Sequence, residues 1–173
     1  MSGQRRIDQI LSPDFIHGLE GIDIEELRSR RRLAREVENE LSYYRRMLHG
    51  RLDLLRFEIK RRRGDEQRSL IEALPEILSG EVWTSSSHGR AFATDLPPMP
   101  EIAKREIDRV LGDDLLTRLD TIDEESLESA IDAIETVEAE ISAERRQVQA
   151  VEDVVVEAFS RRLAAESAKQ VDA

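Results

Sequence analysis

Apolar residues recur at alternating steps of three and four in two long stretches of the chain. In the first they fall at Ala34, Val37, Leu41, Tyr44, Leu48 and Leu55, with Arg51 interrupting; in the second at Ile134, Val137, Ile141, Val148, Val151 and Val155, with Glu144 interrupting. That period is the seam of a coiled coil, and each seam needs a partner. Asp23 stands where it can cap the first helix, with Glu26 three residues on for a capping box, and Asp123 opens the second in the same way. The first long helix is predicted from Ile24 to Arg63, where Gly64 supplies the C′ glycine. Between the two, DEQRSLIEALPEILSG predicts a helix that Pro75 must start, kink or end. The following EVWTSSSHGRAFATDLPPMP holds the only Trp and reads as a loop, with Trp83 a partner contact.

The two stretches are copies. Setting Asp14–Ser29 against Asp114–Ser129 at a constant offset of 100 residues matches Leu19 with Leu119, Ile22 and Asp23 with Ile122 and Asp123, and Leu27 with Leu127. The register extends upstream through Arg5, Ile7, Asp8 and Leu11 against Arg105, Ile107, Asp108 and Leu111, and downstream to Arg61 and Arg62 against Arg161 and Arg162. About twenty of roughly sixty positions agree, well above chance for shared composition. The expected organisation is one helical domain over 1–173. Repeat 1 occupies 5–63, a connecting helix and loop 64–104, repeat 2 residues 105–163, and a frayed tail 164–173. Each repeat reads as a short helix, a turn and a long helix. Like units packing through like faces predict an all-α fold in which the long helices form an antiparallel two-helix coiled coil.

Composition agrees with long solvated helices: of 173 residues 36% are charged and only 4% aromatic. The net charge of −11 argues against direct DNA binding and for basic partners. Nearly all positive charge is arginine, since Lys60, Lys104 and Lys169 are the only lysines. The absence of cysteine and the scattered His17, His49 and His88 leave no expected metal site. No apolar run approaches the roughly 18 residues of a membrane span, and MSGQRRIDQIL has no signal-peptide core, so a cytoplasmic protein is expected. No nucleophile–base pair or phosphate loop is present, so no enzyme activity is expected.

Beside each seam runs a polar strip in the same phase: Glu38, Ser42, Arg45, His49 and Asp53, and Glu138, Ser142, Arg145, Gln149 and Asp153. The five side chains of a strip fall within an arc of about 80° and extend ~22 Å along the helix. An arginine can fork onto guanine N7 and O6 while an aspartate accepts from the N1 and N2 hydrogens opposite; adenine satisfies neither. Serine and an amide or imidazole suit ribose hydroxyls and phosphate oxygens, and Arg46 or Arg146 lies alongside. A solvated face with i, i+4 pairs accounts equally for either strip alone. Recurrence in phase favours the guanine ligand. The basic runs RSRRRLAR and around Lys60–Arg63, flanked by acidic residues, read as solvated helix faces, and Phe15, Phe57 and Phe159 as core.

The strips resemble the signature of the RsiG-type anti-sigma factors of actinobacteria: Glu, three residues, Ser, two, Arg, three, Gln, three, Asp, once in each of two coiled-coil helices. The second copy matches in full and the first departs only at His49. The resemblance implies an antiparallel coiled coil that binds cyclic di-GMP, as an intercalated dimer, through these ten residues. In that form it would hold a WhiG-type sporulation sigma factor from RNA polymerase and repress late sporulation genes. The rival expectation is a constitutive coiled-coil adaptor with no nucleotide ligand.

Overall fold

The computed structural model describes residues 6–79, 119 and 121–171, and side chains within 6–77, 119 and 121–168. Every element among them is a helix: α1 (Arg6–Leu11), α2 (Pro13–Ile16), α3 (Ile24–Arg63), α4 (Leu70–Ser79) and α5 (Glu124–Val171). The expected short helix of repeat 2, the loop with Trp83 and Lys104 lie outside the described residues.

Local chemistry places the helix ends. Asp23 Oδ1 accepts from the Glu26 amide at 2.7 Å, while the Glu26 carboxylate accepts from Arg30 Nε at 2.8 Å rather than turning back to complete a capping box. Asp123 Oδ1 accepts from the Ser126 amide at 2.8 Å, which holds the Asp123 carboxyl below its ordinary range. Gly64, with φ of 85°, closes α3 in a Schellman motif: the Asp65 amide donates to Lys60 O at 2.9 Å and the Gly64 amide to Arg61 O at 3.2 Å. Ser69 and Glu72 form the reciprocal box that opens α4, with the Glu72 amide 3.3 Å from Ser69 Oγ and the Ser69 amide 2.7 Å from Glu72 Oε2. That box starts the helix upstream of Pro75, which sits inside α4 and neither starts nor ends it.

Two expectations change. The tail from residue 164 is helical through Val171, because AAESAKQ is built of good helix formers without Gly or Pro and nothing stops the propagating helix. Phe159 is half-buried, not core, while Phe15 and Phe57 are buried.

The chain divides into two compact units, 1–42 with 142–173 and 43–141, so α3 and α5 each contribute a segment to both. In the first unit Glu20 pairs with Arg161, Arg28 and Arg31 lie over Phe159, and Glu38 meets Arg145 and Gln149. Partner numbers fall as the first numbers rise, so the segments run in opposite directions. The second unit shows the same order, with Arg45 on Glu138, Arg56 on Glu135, and Arg63 on Glu128 and Glu124.

The seam residues form the buried centre of each unit. Ala34, Val37, Leu41, Val148 and Val155 are buried in the first, joined by Ile7, Ile10, Phe15, Leu19 and Leu27. Tyr44, Leu48, Leu55, Ile134 and Ile141 are buried in the second, joined by Leu52, Leu119 and Leu127. Val137 and Val151 are only half-buried, as are the interrupting Arg51 and Glu144. Among the described residues no helix is long and apolar enough to cross a membrane.

Arginines also hold the turns that precede the long helices. In the first unit Arg30 Nη1 donates to Phe15 O at 2.6 Å and to Asp14 O at 3.2 Å. In the second, Arg62 donates to Leu119 O at 2.5 Å and Ile122 O at 2.6 Å. Arg62 is itself held by Glu58, 1% exposed, whose carboxylate accepts from Arg61 Nε at 2.8 Å and Arg62 Nε at 2.7 Å. Burial alone would raise the Glu58 carboxyl; the two guanidinium groups outweigh it and keep it below its ordinary 4.5. A carboxyl depressed by folding stabilises the fold above its unfolded value, and that stabilisation is lost as pH falls through the lower folded value. Thermal melts between pH 7 and pH 3 should therefore show Glu58→Gln less stable than wild type at pH 7, with the gap closing in acid. A constant gap would mean that the Glu58 charge contributes nothing.

Candidate functional site: two exchanged signature clusters

The ten strip residues do not gather helix by helix. In the first unit Glu38, on α3, meets the second strip on α5: Glu38 Oε1 accepts from Arg145 Nη1 at 3.0 Å and Gln149 Nε2 at 3.1 Å, and from Ser42 Oγ at 2.9 Å. Arg145 Nη1 also reaches Ser42 Oγ at 3.4 Å. In the second unit the roles are exchanged. Glu138, on α5, accepts from Arg45 Nε at 3.1 Å, and its Oε1 lies 3.0 Å from His49 Nε2. Each unit thus takes its glutamate from one helix and its arginine, with Gln149 or His49, from the other.

The spacing explains this division. In an antiparallel pair a residue near one end of a strip faces residues well along the opposite strip, so the leading glutamate meets the third and fourth signature positions across the seam. His49 takes the place of Gln149 geometrically as well as in sequence, each presenting one ring or amide nitrogen to the facing glutamate. Sequence spacing showed the phase of each strip and gave no sign of this closure.

The clusters are half-buried, between solvent and seam. Arg145 is 25% exposed and Glu38 16%; Arg45 and Glu138 are 34% and 19%. A carboxylate so placed holds a guanidinium more strongly than an exposed pair does. Arg145 Nε is buried with no hydrogen-bond partner, a donor left unsatisfied at a cost of about 1–3 kcal/mol. Asp53 and Asp153, at the far ends of the strips, are exposed, as is Arg146; Ser142 and Arg46 are half-buried. The structure therefore brings Glu38, Ser42, Arg145 and Gln149 into one cluster and Glu138, Arg45 and His49 into the other, and leaves both aspartates open to solvent.

One further carboxyl is influenced by the charge of the first cluster. Glu152, half-buried beside Asp153, has its carboxyl raised by burial first and then by the charge of Glu38, with Arg35 and Arg31 opposing. Its counterpart in repeat 1 is Leu52, which is buried at 3% exposure. A polar residue at a repeat position otherwise apolar is the signal that marks it.

Chemically each cluster is a set of donors closed on one glutamate. Arginine, amide, imidazole and hydroxyl groups line up beside a seam, and among the described residues no group of three metal-ligating side chains occurs. No curated protein matches the chain. Residues 13–78 match the RsiG-like family, a stretch that contains α2, α3 and the whole first strip from Glu38 to Asp53. Over that stretch the chain is similar to the RsiG-like family, a likeness that supports an anti-sigma factor with a sigma factor as its kind of partner.

Proposed function

We propose that the protein binds cyclic di-GMP at the two signature clusters and in that form sequesters a WhiG-type sigma factor, repressing late sporulation genes without any catalytic step. The fold reading that goes with it is an antiparallel coiled coil made from a duplicated unit. The observation that carries the proposal is the exchange of roles between the clusters: Arg145 and Gln149 close on Glu38, and Arg45 and His49 close on Glu138. Each cluster by itself offers donor types that suit one half of cyclic di-GMP, which carries one guanine and one phosphate. Arg45 and Arg145 can fork onto guanine N7 and O6, and the solvent-facing Asp53 and Asp153 can accept from N1 and N2. An acidic chain of net charge −11 also suits a partner with basic promoter-binding surfaces.

The same ion pairs favour a second reading. Glu38 with Arg145 and Glu138 with Arg45 also set helix register, as charged pairs beside a seam do, and a constitutive adaptor needs no more. Co-purification with a WhiG-type sigma factor, with and without cyclic di-GMP, separates the two, using wild type and an Arg45→Ala, Arg145→Ala double variant. Capture by wild type only with the nucleotide, and none by the variant, is expected. By linkage, the nucleotide strengthens sigma binding as much as sigma strengthens nucleotide binding, typically about 1–3 kcal/mol. Equal capture in all four conditions would leave the adaptor.

A further inference from the structure

The two repeats differ most where their polar strips run out. In the second unit, Arg56 Nη2 donates to Glu135 Oε1 at 2.6 Å, and Arg63 donates to Glu124 and Glu128, each at 2.6 Å. The positions 100 residues on from Arg56 and Arg63 are Val156 and Leu163, and those 100 residues before Glu128 and Glu135 are Arg28 and Arg35. Where one copy has cross-helix ion pairs, the other has apolar side chains and arginines.

In the first unit these replacements form a surface. Val156 is 36% exposed and Leu163 46%, with half-buried Phe159 between them at a spacing of three and four, so the three lie in one row along α5. Arg31 lies 5.0 Å and Arg28 6.0 Å from the centre of the Phe159 ring, and Arg35 continues their row along α3, exposed. Single exposed apolar residues are ordinary. Three in one row beside a row of arginines, at positions occupied by ion pairs in the other repeat, have the chemistry of a docking ridge. The row also continues along α5 at the same spacing through Glu152 and Gln149 to Arg145.

We infer that this ridge is a docking surface for an amphipathic helix of the sigma partner, its apolar stripe on Val156, Phe159 and Leu163 and its acidic flank on Arg28, Arg31 and Arg35. The occupant follows from charge complementarity: a row of arginines selects acidic residues, and the row spacing selects a helix. Its identity as sigma rests on the function proposed above. Lying next to the Arg145 and Gln149 cluster, a helix docked there would touch or adjoin a bound nucleotide.

The test restores the ion-pairing residues of repeat 1, as Val156→Arg with Leu163→Arg, and separately reverses one charge, as Arg35→Glu, all in the full-length chain. Two helical peptides probe the surface, both with leucines at i, i+3 and i+7, one flanked by glutamates and the other by lysines. Wild type is expected to bind the glutamate peptide more than about tenfold better than the lysine peptide, and both variants to lose that binding by more than about tenfold. Thermal melts and cyclic di-GMP binding of the double variant should stay as in wild type, so that lost peptide binding is not lost folding. Capture of the sigma factor should fall in parallel. No preference for the acidic peptide, or equal binding by wild type and both variants, would overturn the ridge. So would sedimentation showing a wild-type dimer that the double variant abolishes without changing sigma capture, since the face would then join two copies. Peptide preference without sigma capture by wild type would preserve the ridge and reject the sigma reading.

Discussion

Arg145→Ala should weaken cyclic di-GMP binding by about 1–3 kcal/mol, roughly five- to more than a hundredfold, and Arg45→Ala by a similar amount. In the free protein Arg145 is held by Glu38 through Nη1 at 3.0 Å, with Nε buried and unpaired. Engaging guanine would cost the contact with Glu38 and give the guanidinium two acceptors on one base edge. Alanine removes both contacts and leaves the Glu38 carboxylate with Ser42 and Gln149. Stability should change little, because Arg145 stands beside the seam and is a quarter exposed. Calorimetry with cyclic di-GMP, with cyclic di-AMP as the control, measures the effect, and circular dichroism confirms folding. Unchanged affinity in a folded Arg145→Ala protein would reject the guanine contact.

Leu48→Ala should destabilise the fold by about 2–5 kcal/mol. Leu48 is fully buried in the second unit, with Tyr44, Leu52 and Leu55 of the same helix also buried at seam spacing. Truncation removes the transfer free energy of the lost atoms and leaves a cavity that the surrounding side chains can only partly close. A lowered midpoint in chemical denaturation checks this, with Leu163→Ala as the exposed control, expected within about 0.5 kcal/mol of wild type. Equal losses at both positions would mean that Leu48 does not occupy a core position.

The seam, the Asp23 and Asp123 caps, and the limits of α3 from Ile24 to Arg63 are all legible in the sequence. Each depends on residues within one or two turns of one another: apolar spacing for the seam, a side-chain oxygen three residues before an orphan amide for the caps, and Gly64 for the stop. The phase of the strips is equally local, since helical geometry places residues three and four apart on one side. What neither spacing nor composition could show is which strip faces which. Whether Glu38 closes on its own Arg45 or on Arg145, more than a hundred residues away, is decided only by long-range packing within the first unit. The same holds for Arg62 on the Leu119 and Ile122 carbonyls and for the burial of Glu58, because turn carbonyls carry no sequence signature. The helical course of the 164–171 stretch was written in its propensities, but a seam that ends at Val155 gave no reason to continue it. Local hydrogen bonding and periodicity thus determine the elements and the direction each face points. Long-range pairing, which depends on burying two seams at once, decides which arginine meets which glutamate and where one repeat keeps ion pairs and the other exposes an apolar row.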